Sequence, residues 1–294
     1  MAGELAKRVA VAIVGIPAAI LLIYLGGWYI AGLLAVLAAL GTLEFYRLAR
    51  TQGAEPFELA GAAAAAVLVL SAASEAPSFA AMRVLNASIA LLLLFTGLAI
   101  WRRGPQRRPL SNIAATFCGM AFIGGTLSYG VWLRAYPDFS TQLAPLGVRS
   151  AAWQGTALVV FPLAVTWIND SLAYFVGRAI GRHKLIPTVS PGKTIEGAVA
   201  GLIGGVITAV AIGRFVLGPE VGIAASPLIW ALGGAVIAAV AQVGDLAESL
   251  LKREAKVKDS GTLFPGHGGV LDRLDALFFA VPVAYWFLRW VGLK

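Results

Sequence analysis

One stretch of 27 residues, Ser249–Asp275 (SLLKREAKVKDSGTLFPGHGGVLDRLD), holds the densest chemistry in the chain. It carries five basic side chains (Lys252, Arg253, Lys256, Lys258, Arg273), four acidic ones (Glu254, Asp259, Asp272, Asp275) and His267, one of two histidines. Long apolar segments flank it on both sides. Asp245, Glu248, Ser249 and Lys252 fall at i, i+3, i+4 and i+7, on one helix face, and Asp272 and Asp275 share a face of the next helix. Hard oxygen donors of this kind suit Mg²⁺, which takes one or two carboxylates and completes its shell with water and phosphate oxygens. Lys and Arg suit phosphate groups. The combination points to phosphoryl or nucleotidyl transfer, in which cations offset the charge of an in-line displacement. A set of interfacial salt bridges is the alternative. His267, in PGHGG, is a general acid or base or a phosphate donor, or else a turn residue bonded to backbone. Gly266, Gly268 and Gly269 allow close backbone approach or positive φ.

Two other stretches carry polar residues out of place. WINDSLAYFVGR (Trp167–Arg178) puts Asn169 and Asp170 into an otherwise apolar run. A carboxylate facing lipid costs about 2.5–3.5 kcal/mol on insertion scales. Asp170 is therefore expected to face the protein interior, a cavity or a cation, or to make an interhelical bond. Asp170, Tyr174 and Gly177 share a helix face. In VSPGKTIEG (Val189–Gly197), Ser190 is expected as N-cap and Pro191 as the first helical residue. Lys193 would then sit in a first turn whose amides favour an anion, unless it is a residue snorkelling at the membrane interface. PGKT is not a phosphate loop of the Walker type, which needs a glycine at position 187, here Pro187. Glu196 is expected to complete local capping or to pair with a cation.

The elements that must position these residues are hydrophobic. The 294 residues are 59% hydrophobic and 13% charged, with mean hydropathy +0.82. Soluble domains are about a quarter charged, and surface scaling leaves no way to bury this much apolar residue in water. The chain is expected to be an all-α, polytopic integral membrane protein. Nine candidate spans lie near 8–25, 28–48, 58–74, 79–100, 111–132, 153–180, 194–217, 226–250 and 270–291. Lys7 and Arg8 precede a first span rather than a cleavable signal. With odd-numbered spans starting on one face, 17 of the 23 Lys and Arg fall there. That bias places the N-terminus and Ser249–Asp275 in the cytoplasm. The net charge of +8 reflects these basic loops, and no nucleic acid is expected. Cys118 is alone, so disulfides and cysteine metal sites are excluded, and it reads as a small buried apolar residue. The joint Trp101–Pro109 separates N-terminal helices, 1–110, read as scaffold, from a catalytic region, 111–294.

Ser249–Asp275 resembles the C-terminal pattern of phosphatidate cytidylyltransferases. Ser249, Lys252, Arg253, Lys258, Asp259, Gly261, Phe264, Pro265, His267, Gly268, Gly269, Asp272, Arg273 and Asp275 fill its positions without departure. NDSLAYFVGR and SPGKTIEG also look like family elements. The resemblance covers about 151–275. It implies that CTP and phosphatidate react to CDP-diacylglycerol and pyrophosphate, with Mg²⁺ and room for a second cation. It implies a membrane fold of several helices, at the inner (cytoplasmic) membrane, and a homodimer. Asp245 and Asp272 match the family's metal-binding positions, with Asp170 and Asp275 as neighbouring candidates. Lys193, Lys252, Arg253, Ser249, Asp259 and Tyr174 are expected to contact substrate. Lys258, His267 and Arg273 join Asp245 and Asp272 as catalytic candidates. The rivals are a CTP-dependent lipid kinase and an ion-coupled transporter using Asp170 and Asp245. The transporter reading would be supported by inverted repeats, and none is seen. A CDP-alcohol phosphatidyltransferase would carry Asp-Gly-x2-Ala-Arg, which is absent.

Overall fold

The computed structural model describes residues 2–74, 77–102, 105–139, 151–263 and 268–292. It is helical apart from one small hairpin, as expected of an all-α membrane protein. The helices are α1 (Ala2–Leu25), α2 (Gly27–Thr51), α3 (Glu58–Ser71), α4 (Pro77–Arg102), α5 (Pro109–Gly119), α6 (Gly125–Phe139), α7 (Ala151–Ile180), α8 (Ile195–Ile212), α9 (Gly218–Val221), α10 (Pro227–Glu254) and α11 (Leu271–Val291). π-helical turns join α5 to α6 (Met120–Gly124) and α8 to α9 (Gly213–Leu217), so each pair runs on as one rod. All nine segments read as spans are helical. Among the described residues, six helical runs are long and apolar enough to cross a membrane: Gly27–Thr51, Pro109–Tyr136, Ala151–Ile180, Ile195–Val221, Pro227–Glu254 and Leu271–Val291. The other three carry shorter apolar stretches, Gly15–Leu25, Glu58–Ser71 and Asn86–Ile100.

Contacts divide the chain into two compact units. The first is Met1–Ala135 with Leu251–Leu274, the second Tyr136–Leu250 with Asp275–Lys294. In the first, α2 is the central element. Tyr46 is fully buried and donates from its hydroxyl to Thr116 O on α5 at 2.6 Å. It fits because α3 and α5 present Gly61 and Gly119, where a β-carbon would collide with its ring. Asn112 and Thr116 of α5 accept the amides of Glu55 and Phe57, tying down the turn between α2 and α3. Arg134 of α6 is buried and donates to Ile23 O and Tyr24 O at 2.7 and 2.8 Å. A cation at these last carbonyls of α1 complements the negative helix end. Cys118 departs from expectation: it is exposed on α5, because the helix turns it towards the outer surface.

In the second unit, α7 and α8 make the closest pairing. Gly197, Gly201 and Gly205 recur every four residues along α8 and are all buried. A β-carbon on Gly197 or Gly201 would run into the α7 backbone at Ala173 O or Asn169 O, and one on Gly205 into Ala238 of α10. Small residues of this kind let backbones approach closely where no hydrophobic effect drives helices together. The outer face of α8 shows Ile195, Val199, Ile203 and Ile207, all exposed. Phe161, Trp230 and Phe287 form an aromatic cluster joining α7, α10 and α11, with centroids 5.8–6.5 Å apart.

The segment after α7 corrects one expectation. Lys184–Ile186 and Ser190–Thr194 are antiparallel strands, β1 and β2, with Lys184 opposite Thr194 and Ile186 opposite Ser190. Ser190 is therefore not the helix cap, and Lys193 is not in a helical turn. Thr194 caps α8 from extended geometry, its hydroxyl accepting from Gly197 N at 3.2 Å. Pro191 is tolerated in a two-stranded edge, where a missing N–H costs no ladder bond. Glu196 accepts from the His183 amide and pairs with His183 Nδ1 at 2.6 Å, which clamps the strand entry to the helix start.

At the end of α10, Lys256 adopts φ +56. Its amide bonds to Arg253 O and that of Val257 to Lys252 O, the paired bonds of a Schellman motif. Gln52 Nε2 adds a bond to Glu254 O at 2.8 Å.

Two outcomes test this packing. Gly205→Val overfills the contact with Ala238 and is expected to cost about 1–3 kcal/mol, read as a lower thermal midpoint of the purified protein in detergent; an unchanged midpoint would contradict the close approach. Lys256→Gly removes the left-handed penalty of a lysine and should raise stability by up to about 1 kcal/mol. A drop in midpoint would show that the lysine side chain outweighs its backbone strain.

Candidate active site

Each compact unit gathers one group of the expected residues. In the second unit, β2 delivers Lys193 to α10, where its Nζ lies 2.6 Å from Asp245 Oδ2. Both side chains are about one-third exposed. Asp170, on α7, lies within electrostatic reach of both Asp245 and Lys193. Two carboxyl groups thus share the surroundings of one ammonium. Ser249, one turn along α10, donates to Asp245 Oδ1 at 3.4 Å. Tyr174, one turn along α7 from Asp170, is exposed and accepts from Arg178 Nη1 at 2.8 Å.

Behind Asp170 runs a buried amide relay. Asn169 is fully buried and donates to Asp170 Oδ1 at 3.0 Å. Its own Oδ1 accepts from Gln242 Nε2 at 2.8 Å, and the same nitrogen lies 2.9 Å from Ala198 O. The relay holds α7, α8 and α10 together at the depth of the carboxylates. Gln242 was not singled out above; its signal is a lone amide in an apolar run, three residues before Asp245. Asp275, also in this unit, accepts from Ala276 N at 2.7 Å and is half-buried.

In the first unit the group is built on Asp272, the second residue of α11. Its Oδ1 takes Lys252 Nζ at 2.7 Å. Its Oδ2 accepts Ser260 N, Ser260 Oγ and Gly269 N, each at 2.8 Å. The side chains of Asp272 and Lys252 are 6% and 13% exposed. An ion pair this deep is costly to desolvate and is stable only because further donors satisfy it. The amides come from the chain before the helix, so one carboxylate ties both Ser260 and Gly269 to the start of α11. Gly268 takes φ +80 there, and a β-carbon would strike the Asp272 carboxylate.

Glu44 of α2 completes this group and was also missed. It is 4% exposed, and its Oε2 accepts Leu271 N at 2.9 Å and Ser260 Oγ at 3.1 Å. Its signal is the one that flagged Asp170, a carboxylate inside an apolar run. Lys258, Asp259, Arg253 and Arg273 are exposed, with Arg253 Nη1 3.4 Å from Val257 O. His267 lies outside the described residues.

The donor chemistry fits a hard divalent cation. Among the described residues no three His, Cys, Asp or Glu side chains are grouped to hold a metal. Asp170 and Asp245 supply two carboxylates in one cluster, which is what Mg²⁺ takes from a protein when phosphates and water complete the shell. Asp272 has its Oδ2 filled by three donors, which leaves Oδ1, shared with Lys252, as its open side.

Residues 6–291 match the model of the cytidylyltransferase family. The chain is similar to the phosphatidate cytidylyltransferase of Synechocystis sp., 32% identical over 295 residues that cover 96% of each chain. It is also similar to the phosphatidate cytidylyltransferases of Brucella abortus, 47% identical over 135 residues (45% of this chain, 47% of that one), and Bacillus subtilis, 41% over 142 residues (48% and 51%). Those two matches span about half of each protein's length. With nearly its whole length matched, and its carboxylates and lysines gathered into two groups, the chain belongs to the cytidylyltransferase family.

Proposed function

We propose that this chain transfers CMP from CTP to phosphatidate, giving CDP-diacylglycerol and pyrophosphate. The observation that carries the proposal is its end-to-end similarity to a phosphatidate cytidylyltransferase. A phosphate oxygen of phosphatidate attacks the α-phosphorus of CTP, the bond to the bridging oxygen breaks, and pyrophosphate leaves. No protein nucleophile is needed. What the chain must supply is positioning and charge compensation.

In this reading Asp245 and Asp272 are the metal-binding positions that the family resemblance implies for Mg²⁺, with Asp170 and Asp275 as neighbouring candidates and room for a second cation. The cation's contribution is to neutralise phosphate charge. Lys193, Lys252, Arg253, Lys258 and Arg273 bind phosphates. Lys193 already stands beside Asp245, so a phosphate on its ammonium lies next to that carboxylate. Ser249, Asp259 and Tyr174 contact substrate, and His267 serves as acid, base or phosphate donor. Residues 1–110 are the scaffold and 111–294 the catalytic region. The bias of basic residues supports a cytoplasmic N-terminus and site, in an inner (cytoplasmic) membrane. Phosphatidate then presents its headgroup where CTP arrives. The working form is a homodimer.

Labelled CTP tests the reaction. With phosphatidate and Mg²⁺, cytidine or α-phosphate label is expected to enter lipid, and pyrophosphate to appear. Label entering only from the γ-phosphate would make the chain a lipid kinase. Asp245→Asn and Asp272→Asn are each expected to lower kcat by at least ~100-fold in protein that still inserts and folds. Retention of most of the activity by either variant removes that residue from the metal site.

A further inference from the structure

The carboxylate of Glu44 is the least expected group in the first unit. Every other buried side chain of α2 is apolar or hydroxylic, and an ionised carboxylate in such a place is strongly disfavoured unless donors meet it. Here they do. Leu271 N, at the first residue of α11, donates at 2.9 Å, and Ser260 Oγ at 3.1 Å. Two glycines of the same segment, Gly261 and Gly269, close around it, and a β-carbon on either would collide with its oxygens. The chain from Ser260 to Leu271 is therefore moulded to Glu44 at both of its ends. Ser260 Oγ also lies 2.8 Å from Asp272 Oδ2. The one proton of this hydroxyl is shared between the two carboxylates, and the Leu271 amide held by Glu44 belongs to the residue next to Asp272.

We propose that Glu44 is a positioning residue for the cytidylyl transfer: by accepting from Ser260 and Leu271 it fixes the ends of the 260–271 segment and so the placement of Asp272. The proposal rests on the functional reading above. In this role Glu44 acts through Ser260 and Leu271 rather than on the substrate. Its role requires an acceptor oxygen at the end of a three-bond arm, which makes the consequences of shortening, blunting and conservative replacement different.

Glu44→Gln keeps an acceptor oxygen at the same reach and is expected to stay within about threefold of wild-type kcat, since only the charge assistance of two bonds is lost. Glu44→Leu keeps the volume and removes the acceptor. Its kcat per folded molecule is expected to fall ~10–100-fold, the range seen when a residue that orients a ligating group is lost. KM for CTP should stay within about threefold, since the substrate contacts remain. In the same protein, hydrogen exchange at the Leu271 amide should quicken about tenfold, as one hydrogen bond is lost. A purely architectural Glu44 would instead lower the folded fraction and leave kcat per folded molecule unchanged, and that result overturns the proposal. So does wild-type exchange at Leu271 in Glu44→Leu. If Glu44→Leu does not accumulate, Glu44→Asp replaces it. It keeps the charge but is one methylene too short to reach both donors, and wild-type kcat in that variant also overturns the proposal. A wild-type protein that makes no CDP-diacylglycerol sinks the functional reading instead, and the exchange measurement then decides by itself whether Glu44 holds the segment.

Discussion

A carboxylate withdrawn from water must be met by donors, and in this chain that requirement organises the polar structure. Asp272 receives three hydrogen bonds on one oxygen and an ammonium on the other. Glu44 receives the Leu271 amide and shares the Ser260 hydroxyl with Asp272. Asp245 receives Lys193, and Asp170 receives Asn169. Lipid offers none of these partners. Asp272, Glu44 and Asp245 therefore recruit chain from elsewhere in the sequence, and for Asp272 and Asp245 the recruited chain carries lysines of the family pattern. The described residues between α10 and α11 form turns, bends and one bridge at Gly268. Ser260 and Gly269 among them are held by the carboxylates.

The helices supply the complementary half. Gly197, Gly201 and Gly205 bring α8 against α7 closely enough for Gln242 to reach both Asn169 and Ala198 O. A larger side chain at Gly201 would separate the backbones at Asn169, the residue that donates to Asp170. Packing and chemistry are thus coupled at single positions in the second unit. In the first unit the coupling runs through α2, which buries Tyr46 against α3 and α5 and, half a turn earlier, offers Glu44 to the 260–271 segment.

Much of this was legible in the residues. The apolar runs marked the helices, because a lipid-facing helix can hide few polar groups, and all nine runs are helical. Ser249–Asp275 stood out because its charges interrupt those runs. Asp170 and Asp245 were legible as acids at apolar depth, and the structure brings both to Lys193. What escaped was pairing over distance. Nothing local in Glu44 names Ser260, 216 residues away, as its partner. The hairpin escaped for a different reason. Ser-Pro before an apolar run reads as a helix start by capping rules, and only the pairing of β2 with β1 moves the cap to Thr194. Cys118 failed through rotation: the periodicity of α5 allowed it either face.

The hairpin has a consequence for how this part of the chain can vary. Lys193 reaches Asp245 from a strand whose pairing with β1 is irregular between Lys184 and Ile186, so its direction is set by that irregularity together with the register. Gaining or losing one residue between Ile186 and Ser190 would slip the register and turn Lys193 away from Asp245. Of the connecting residues, Pro187 and Thr188 are exposed and tolerate a change in kind more readily than a change in number. Insertions and deletions, the commonest currency of loop divergence, are closed to this loop, so its length should be inherited more faithfully than its composition.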